Sequence, residues 1–223
     1  AARTAGLAMP APGAAPAPQV CAISSVDIQT RERQVGDLFQ YAITRPVTIK
    51  RNQSALVPIV LKPFGGRGVL LYNPATRERN PLSAVEFENT TGLTLEGGPV
   101  TVIEGDTYVG EAMVESIKPA ETRLIPYSVE LAVLVDSQMQ STTERVHRTR
   151  VARGTLYTYS MERRRTVYAF ANKSGRARTV YVEHRRDYGW ELADTPAPHE
   201  TTPGLYRFRA ELPAAGPFDL AVV

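Results

Sequence analysis

Val85-Glu86-Phe87-Glu88-Asn89-Thr90-Thr91-Gly92 and Tyr168-Ala169-Phe170-Ala171-Asn172-Lys173-Ser174-Gly175 spell one pattern twice: apolar, x, Phe, x, Asn, x, hydroxyl, Gly. Alternation every second residue belongs to a half-buried strand, here with its Phe toward the core. An Asn at the end of such a strand closes the turn onto backbone, and the Gly supplies positive φ. Each copy is followed downstream by a proline turn ahead of another strand-like run, Ile117-Lys118-Pro119-Ala120 and Leu212-Pro213-Ala214-Ala215. A strand, an Asn corner and a proline turn before a late strand fit a sandwich. The expected fold is all-β: two related immunoglobulin/fibronectin-like β-sandwiches in tandem.

The rest of the chain agrees with that class. Phe39-Tyr41-Ile43, Val100-Val102, Leu131-Val133-Val135, Val180-Val182 and Tyr206-Phe208 also repeat with period two, and no stretch sustains a helical period. Further strands are expected at 47–50, 55–61, 68–72, 107–112, 122–127, 144–152, 156–161 and 190–192. Gly105 is placed to take positive φ in the short Glu104-Gly105-Asp106 loop. Pro58 and Pro126 fall inside strand-like runs, so each is expected at an edge or a bulge, because Pro donates no ladder hydrogen bond.

Residues 1–22 read as an Ala/Pro-rich linker, too poor in bulky apolar groups to offset the entropy of ordering. The first domain is expected over 23–137 and the second over 143–223, with the polar run Ser137-Gln138-Met139-Gln140-Ser141-Thr142 as the crossing between them. The length of 223 residues accommodates two such cores, and 43% hydrophobic with 22% charged residues is the globular range. No apolar run approaches the length of a membrane span, and no cleavable signal is visible. Cys21, the one cysteine, has no partner for an intrachain disulfide.

Charge divides unevenly. Residues 1–143 carry 12 Lys+Arg against 14 Asp+Glu, net −2; residues 144–223 carry 14 against 9, net +5. In the basic region arginine interleaves with tyrosine: Tyr157, Tyr159, Arg163, Arg164, Arg165, Tyr168, Arg176, Arg178, Tyr181, Arg185, Arg186 and Tyr188. Such a surface attracts anions and stacks on flat groups.

Several long stretches resemble one bacterial family. Val35-Gly36-Asp37-Leu38-Phe39-Gln40-Tyr41, Gln53-Ser54-Ala55-Leu56-Val57-Pro58-Ile59, Tyr72-Asn73-Pro74, Asn89-Thr90-Thr91-Gly92-Leu93-Thr94-Leu95 and Tyr108-Val109-Gly110-Glu111-Ala112 come in order. They are followed by Thr179-Val180-Tyr181-Val182-Glu183-His184, Gly189-Trp190-Glu191-Leu192 and Glu200-Thr201-Thr202-Pro203-Gly204-Leu205-Tyr206-Arg207-Phe208. Over about residues 35–223 the chain is similar to the C-terminal domain-of-unknown-function region of mucoidy inhibitor A-like proteins. That resemblance implies a bacterial source and a C-terminal place in a larger protein, with an N-terminal domain and coiled-coil segments upstream. It favours envelope or periplasm over cytoplasm, and carries over no reaction, cofactor or catalytic residue.

Signals for chemistry are sparse. Glu183, His184, Asp187, His199 and Glu200 are residue types that bind zinc, yet Glu183 and His184 are neighbours on a strand and point to opposite faces. No Gly-x-Ser-x-Gly elbow is present, and Glu86 and Glu88 share a strand face as solvated charge. No metal, cofactor or catalytic set is therefore expected. The sequence reads as a non-enzymatic structural or interaction module whose partner is a protein or an anionic polymer. Its expected surface is Arg163, Arg164, Arg165, Arg176, Arg178, Arg185 and Arg186; specific nucleic-acid reading is not expected. Two alternatives stand beside it: a hydrolase or carbohydrate-active enzyme with a site at Glu183, His184, Trp190 and His199, and a polyanion-binding module using the basic second domain. Trp190 itself is expected to pack on the Leu205–Phe208 strand and steady the preceding loop.

Overall fold

The computed structural model describes residues 30–35, 38–43, 48–49, 51–52, 54, 60 and 62–223. The linker at 1–22, Cys21 and Pro58 lie outside them; of the expected strand at 55–61 only Val60 is described, and it is not in a strand. Of the expected strand at 47–50, Thr48 and Ile49 are described, and neither is in a strand. The strands are β1 (Thr30–Val35), β2 (Leu38–Ile43), β3 (Gly66–Tyr72), β4 (Leu82–Glu88), β5 (Gly98–Glu104), β6 (Thr107–Val114), β7 (Thr122–Val129), β8 (Val133–Ala152), β9 (Thr155–Asn172), β10 (Arg178–Arg185), β11 (Glu200–Thr201), β12 (Leu205–Leu212) and β13 (Pro217–Val222). No helix occurs among the described residues, so the all-β reading holds.

The sheets are β11-β12-β10-β3-β4-β7, β13-β9-β8, and the pairs β1-β2 and β5-β6. The first two pack face to face. Leu70 and Tyr72 of β3, Val180 and Val182 of β10, and Phe208 and Leu212 of β12 meet Val133, Val135, Tyr168, Phe170, Leu220 and Val222 of β8, β9 and β13. On each strand these residues are two apart, or four apart at Phe208 and Leu212, as period-two alternation requires. Tyr72 sits edge-on to both Tyr168 and Phe170, with ring centroids 5.8 Å away in each case. Such pairs add to burial because the positive edge of one ring meets the negative face of the other.

This arrangement departs from the expected division at 137–143. β10 pairs in parallel with β3, Val180 opposite Leu70 and Val182 opposite Tyr72, so one sheet runs across the supposed boundary. The polar run 137–142 is no linker; it lies inside β8, paired residue by residue with β9. Lys62–Val223 accordingly belong to one compact unit.

Both Asn corners form as the sequence pattern dictates. Asn89 donates through Nδ2 to the Leu93 and Ile117 carbonyls, while its Oδ1 accepts from the Thr91 amide and hydroxyl. Asn172 donates to the Arg176 and Pro213 carbonyls and accepts from the Ser174 amide and hydroxyl. Each amide thus ties its own turn to the proline turn downstream. Phe87 and Phe170 are 6% and 2% exposed. Gly92, Gly105 and Gly175 take φ of 75°, 60° and 69°. Pro126 lies on β7, the edge strand of the large sheet, next to a register shift. Trp190–Leu192, expected as a strand, is loop. At Gly110, where β6 passes β7, an added Cβ would run into the Tyr127 carbonyl.

Candidate functional site

The expected site residues separate onto two sides of the large sheet. His184 points toward the smaller sheet, where its Nδ1 shares a 2.7 Å hydrogen bond with the Tyr168 hydroxyl. Glu183, one residue earlier, takes the opposite side and accepts from Asn73 Nδ2 at 3.0 Å and from Arg207 Nη2 at 2.7 Å. Arg207 also pairs with Glu200. His199 is on Glu183's side, its ring 5.4 Å from that of Tyr181. Strand alternation, readable in the sequence, divides Glu183 from His184; the loop after β10 then carries Trp190 to one side and His199 to the other.

His184 and Trp190 line an open cavity of about 290 Å³ with Tyr168, Arg164, Asp187 and Tyr206. A turn holds Trp190 there: its amide donates to the Asp187 carbonyl, and Gly189 takes φ 81°. The Arg164 guanidinium lies 3.8 Å above the indole and is steered by Asp187 at 3.3 Å. Tyr206 borders the same cavity, but what lies on the indole is the Arg164 cation rather than the strand packing expected from sequence. Burial lowers the His184 pKa, with Asp187 partly opposing, and burial pushes the Tyr168 hydroxyl well up. The pair is therefore neutral near pH 7. The partner of His184 is the Tyr168 phenol, which its raised pKa keeps protonated near neutral pH.

The opposite face carries a second open cavity of about 590 Å³, bordered by Glu86, Tyr181, Glu183, His199 and Arg207. Glu86 accepts from Arg67 and from the Tyr181 hydroxyl at 3.1 Å. Burial would raise its pKa, but those hydrogen bonds outweigh it and hold the carboxyl below its ordinary value. A general acid needs the reverse. Among the described residues no group of three or more His, Cys, Asp and Glu is arranged to hold a metal ion.

The seven expected arginines do not make one surface. Arg178 pairs with Glu130 at 3.4 Å, Arg185 with Asp187 at 2.9 Å, and Arg186 lies 5.6 Å from the Tyr206 ring centroid. Arg176 belongs to the Asn172 corner, and Arg164 is committed to Trp190. Arg163 reaches Asp194 at 3.4 Å. Arg165 has no ion-pair partner among the described residues.

What gathers charge is the far half of the β8–β9 pair. From about residue 139 to 165 both faces of this two-stranded ribbon are largely exposed. It ends in a tight turn, with Arg153 and Gly154 at φ of 50° and 73°, the geometry that fits the twist of a hairpin. Residues 139–165 hold seven Arg against two Glu, net +5, whereas 166–223 hold seven Lys+Arg against seven Asp+Glu, net zero. The whole excess of the basic region therefore sits on the ribbon. Pairing sets Arg148 opposite Tyr159 and Arg150 opposite Tyr157; alternation along β9 adds Arg163 and Arg165 to the same face. Tyr157 and Tyr159 are 48% and 46% exposed. Arg148 and Arg150 escape a linear reading because a register shift between Glu144 and Arg148 decides which tyrosine each one meets.

No protein-family model, curated protein or solved structure matches this chain.

Proposed function

We propose that the chain is a non-enzymatic interaction module of a larger protein, and that its contact element is the basic face of the β8–β9 ribbon. The observation that carries this reading is the co-facial set Arg148, Arg150, Tyr157, Tyr159, Arg163 and Arg165. A strand pair that leaves both faces in water gains little from burial. Tyrosine and arginine are the side chains that interfaces favour, giving flat apolar area and directional charge together. An acidic partner surface fits that face, and steering by the ribbon's field would raise the rate of encounter. The sequence resemblance to the C-terminal region of bacterial mucoidy inhibitor A-like proteins bears on a place in a larger protein and leaves the function open.

The division of Glu183 and His199 from His184 and Trp190 weighs against a hydrolytic centre built from those four. Titration of a fluorescently labelled glutamate-rich peptide tests the proposal. Binding should appear at low salt, weaken as salt rises, and be lost when Arg148, Arg150, Arg163 and Arg165 are all changed to Gln. Binding indifferent to both changes contradicts it.

A further inference from the structure

The β5–β6 hairpin is the electrostatic reverse of the ribbon. Residues 95–117 contain Glu96, Glu104, Asp106, Glu111 and Glu115 and no Lys or Arg, net −5. All five acids are exposed. Among the described residues none of them makes an ion pair, and neither do Arg145, Arg148, Arg150, Arg153 and Arg165 of the ribbon.

The likeness extends to shape and apolar content. On one face of the hairpin, pairing brings together Ile103 with Tyr108, Thr101 with Glu111 and Pro99 with Met113. Ile103 and Met113 are 64% and 78% exposed, and Tyr108 is also largely in water. The hairpin face is an apolar stripe with Glu111 on it and Glu104 and Asp106 at its turn; the ribbon face is a pair of tyrosines set among guanidiniums. Both are two-stranded and present side chains at strand spacing. Within one chain they do not satisfy each other: β6 packs on β7, the ribbon strands pack on each other, and both faces stay exposed.

We infer that the basic face of the ribbon docks on the acidic hairpin β5–β6 of a second copy of this chain. The inference rests on the ribbon being the contact element, and it names the partner. Docking would cover Tyr157 and Tyr159 with Ile103, Tyr108 and Met113, and would bring Arg148 and Arg150 to Glu111, Glu104 and Asp106. An apolar centre rimmed by opposite charges is the composition of a specific interface. The two surfaces differ, so the contact is heterologous: it closes only if symmetry returns the second ribbon to the first hairpin, and otherwise it propagates.

Sedimentation of the full chain across protein concentration, at low and high salt, tests this. The wild-type chain should associate at low salt and dissociate as salt screens the charges. Arg148→Glu with Arg150→Glu should weaken association by about tenfold or more, and Glu104→Lys, Asp106→Lys and Glu111→Lys together should do the same. The two charge-reversed chains, monomeric alone, should associate when mixed, and the chain carrying both sets should regain self-association. That recovery requires folded protein and separates lost docking from misfolding. A wild-type chain that stays monomeric, or associates regardless of both sets, overturns the inference, as does preferential binding of a duplex oligonucleotide. If the wild-type chain is monomeric yet its arginines still bind the glutamate-rich peptide, self-docking is wrong and the ribbon reading stands. If neither binding is seen, both fall.

Discussion

At its core end the β8–β9 pair buries Val133, Val135, Tyr168 and Phe170, while farther along the same ladder Val151, Leu156, Tyr157 and Tyr159 stand in water. One end gains stability from apolar burial against the large sheet. The other is held by ladder hydrogen bonds and a tight turn, and exposes large side chains that a soluble surface ordinarily keeps few. The backbone is continuous and the pairing differs by one register shift, so what separates the ends is whether the large sheet lies against them. Side chains that stabilise the fold lie at the core end, and those at the ribbon end are exposed, as the proposed contact requires.

That contrast predicts graded losses of stability. Phe170→Ala should cost about 3–5 kcal/mol in denaturant unfolding, because a large ring leaves a void in a packed core. Phe87→Ala should cost less, since Phe87 lies outside the twelve-residue cluster and its ring partner Phe64 is half in water. Equal costs at Phe170 and Tyr157 would erase the distinction between the two ends.

The Asn corners come next. Asn89→Ala and Asn172→Ala should each cost about 1–3 kcal/mol, since each strands two carbonyls, buried at Asn89 and part-buried at Asn172, and the groups that bonded Oδ1. Near-neutral behaviour at either corner would mean that the turn holds without its amide.

A smaller effect is expected at His184, and it depends on pH. Burial holds its folded pKa below the unfolded value. The unfolded chain therefore takes up the proton first, and stability falls as pH drops from about 6.5 toward the folded pKa. Thermal melts of the wild type should show that slope, and His184→Phe should flatten it. An unchanged slope would place the titrating group elsewhere.

Smallest of all is the ribbon. Tyr157→Ala, Tyr159→Ala and Arg150→Gln should each move stability by no more than about 0.5 kcal/mol, as exposed positions do, while weakening binding to the glutamate-rich peptide. A large loss of stability at these positions would make the ribbon part of the fold rather than a tool attached to it.

The corners were legible because everything they need is local: alternation for the Phe, an amide for the turn, a glycine for positive φ. Asn89 and Asn172 then reach the expected proline turns. The parallel pairing of β3 with β10 was not legible, since residues 70–72 and 180–182 meet by tertiary register, which leaves no local mark. Ser137–Thr142 looked like a linker because a strand mostly in water has no apolar alternation to show. For the site, the opposed directions of Glu183 and His184 followed from strand geometry, and the interleaving of Arg with Tyr was visible. Which arginines are tied up was not: Arg164 meets Trp190 and Arg178 meets Glu130 only once the chain is folded.

Hydrogen exchange of the whole chain, with and without the glutamate-rich peptide, tests most directly whether the ribbon is the contact element. The account predicts that amides between residues 140 and 165 slow on binding, while the core strands β10 and β12 exchange as before. Slowing confined to the loop around Trp190 and His184, with the ribbon unchanged, would contradict it.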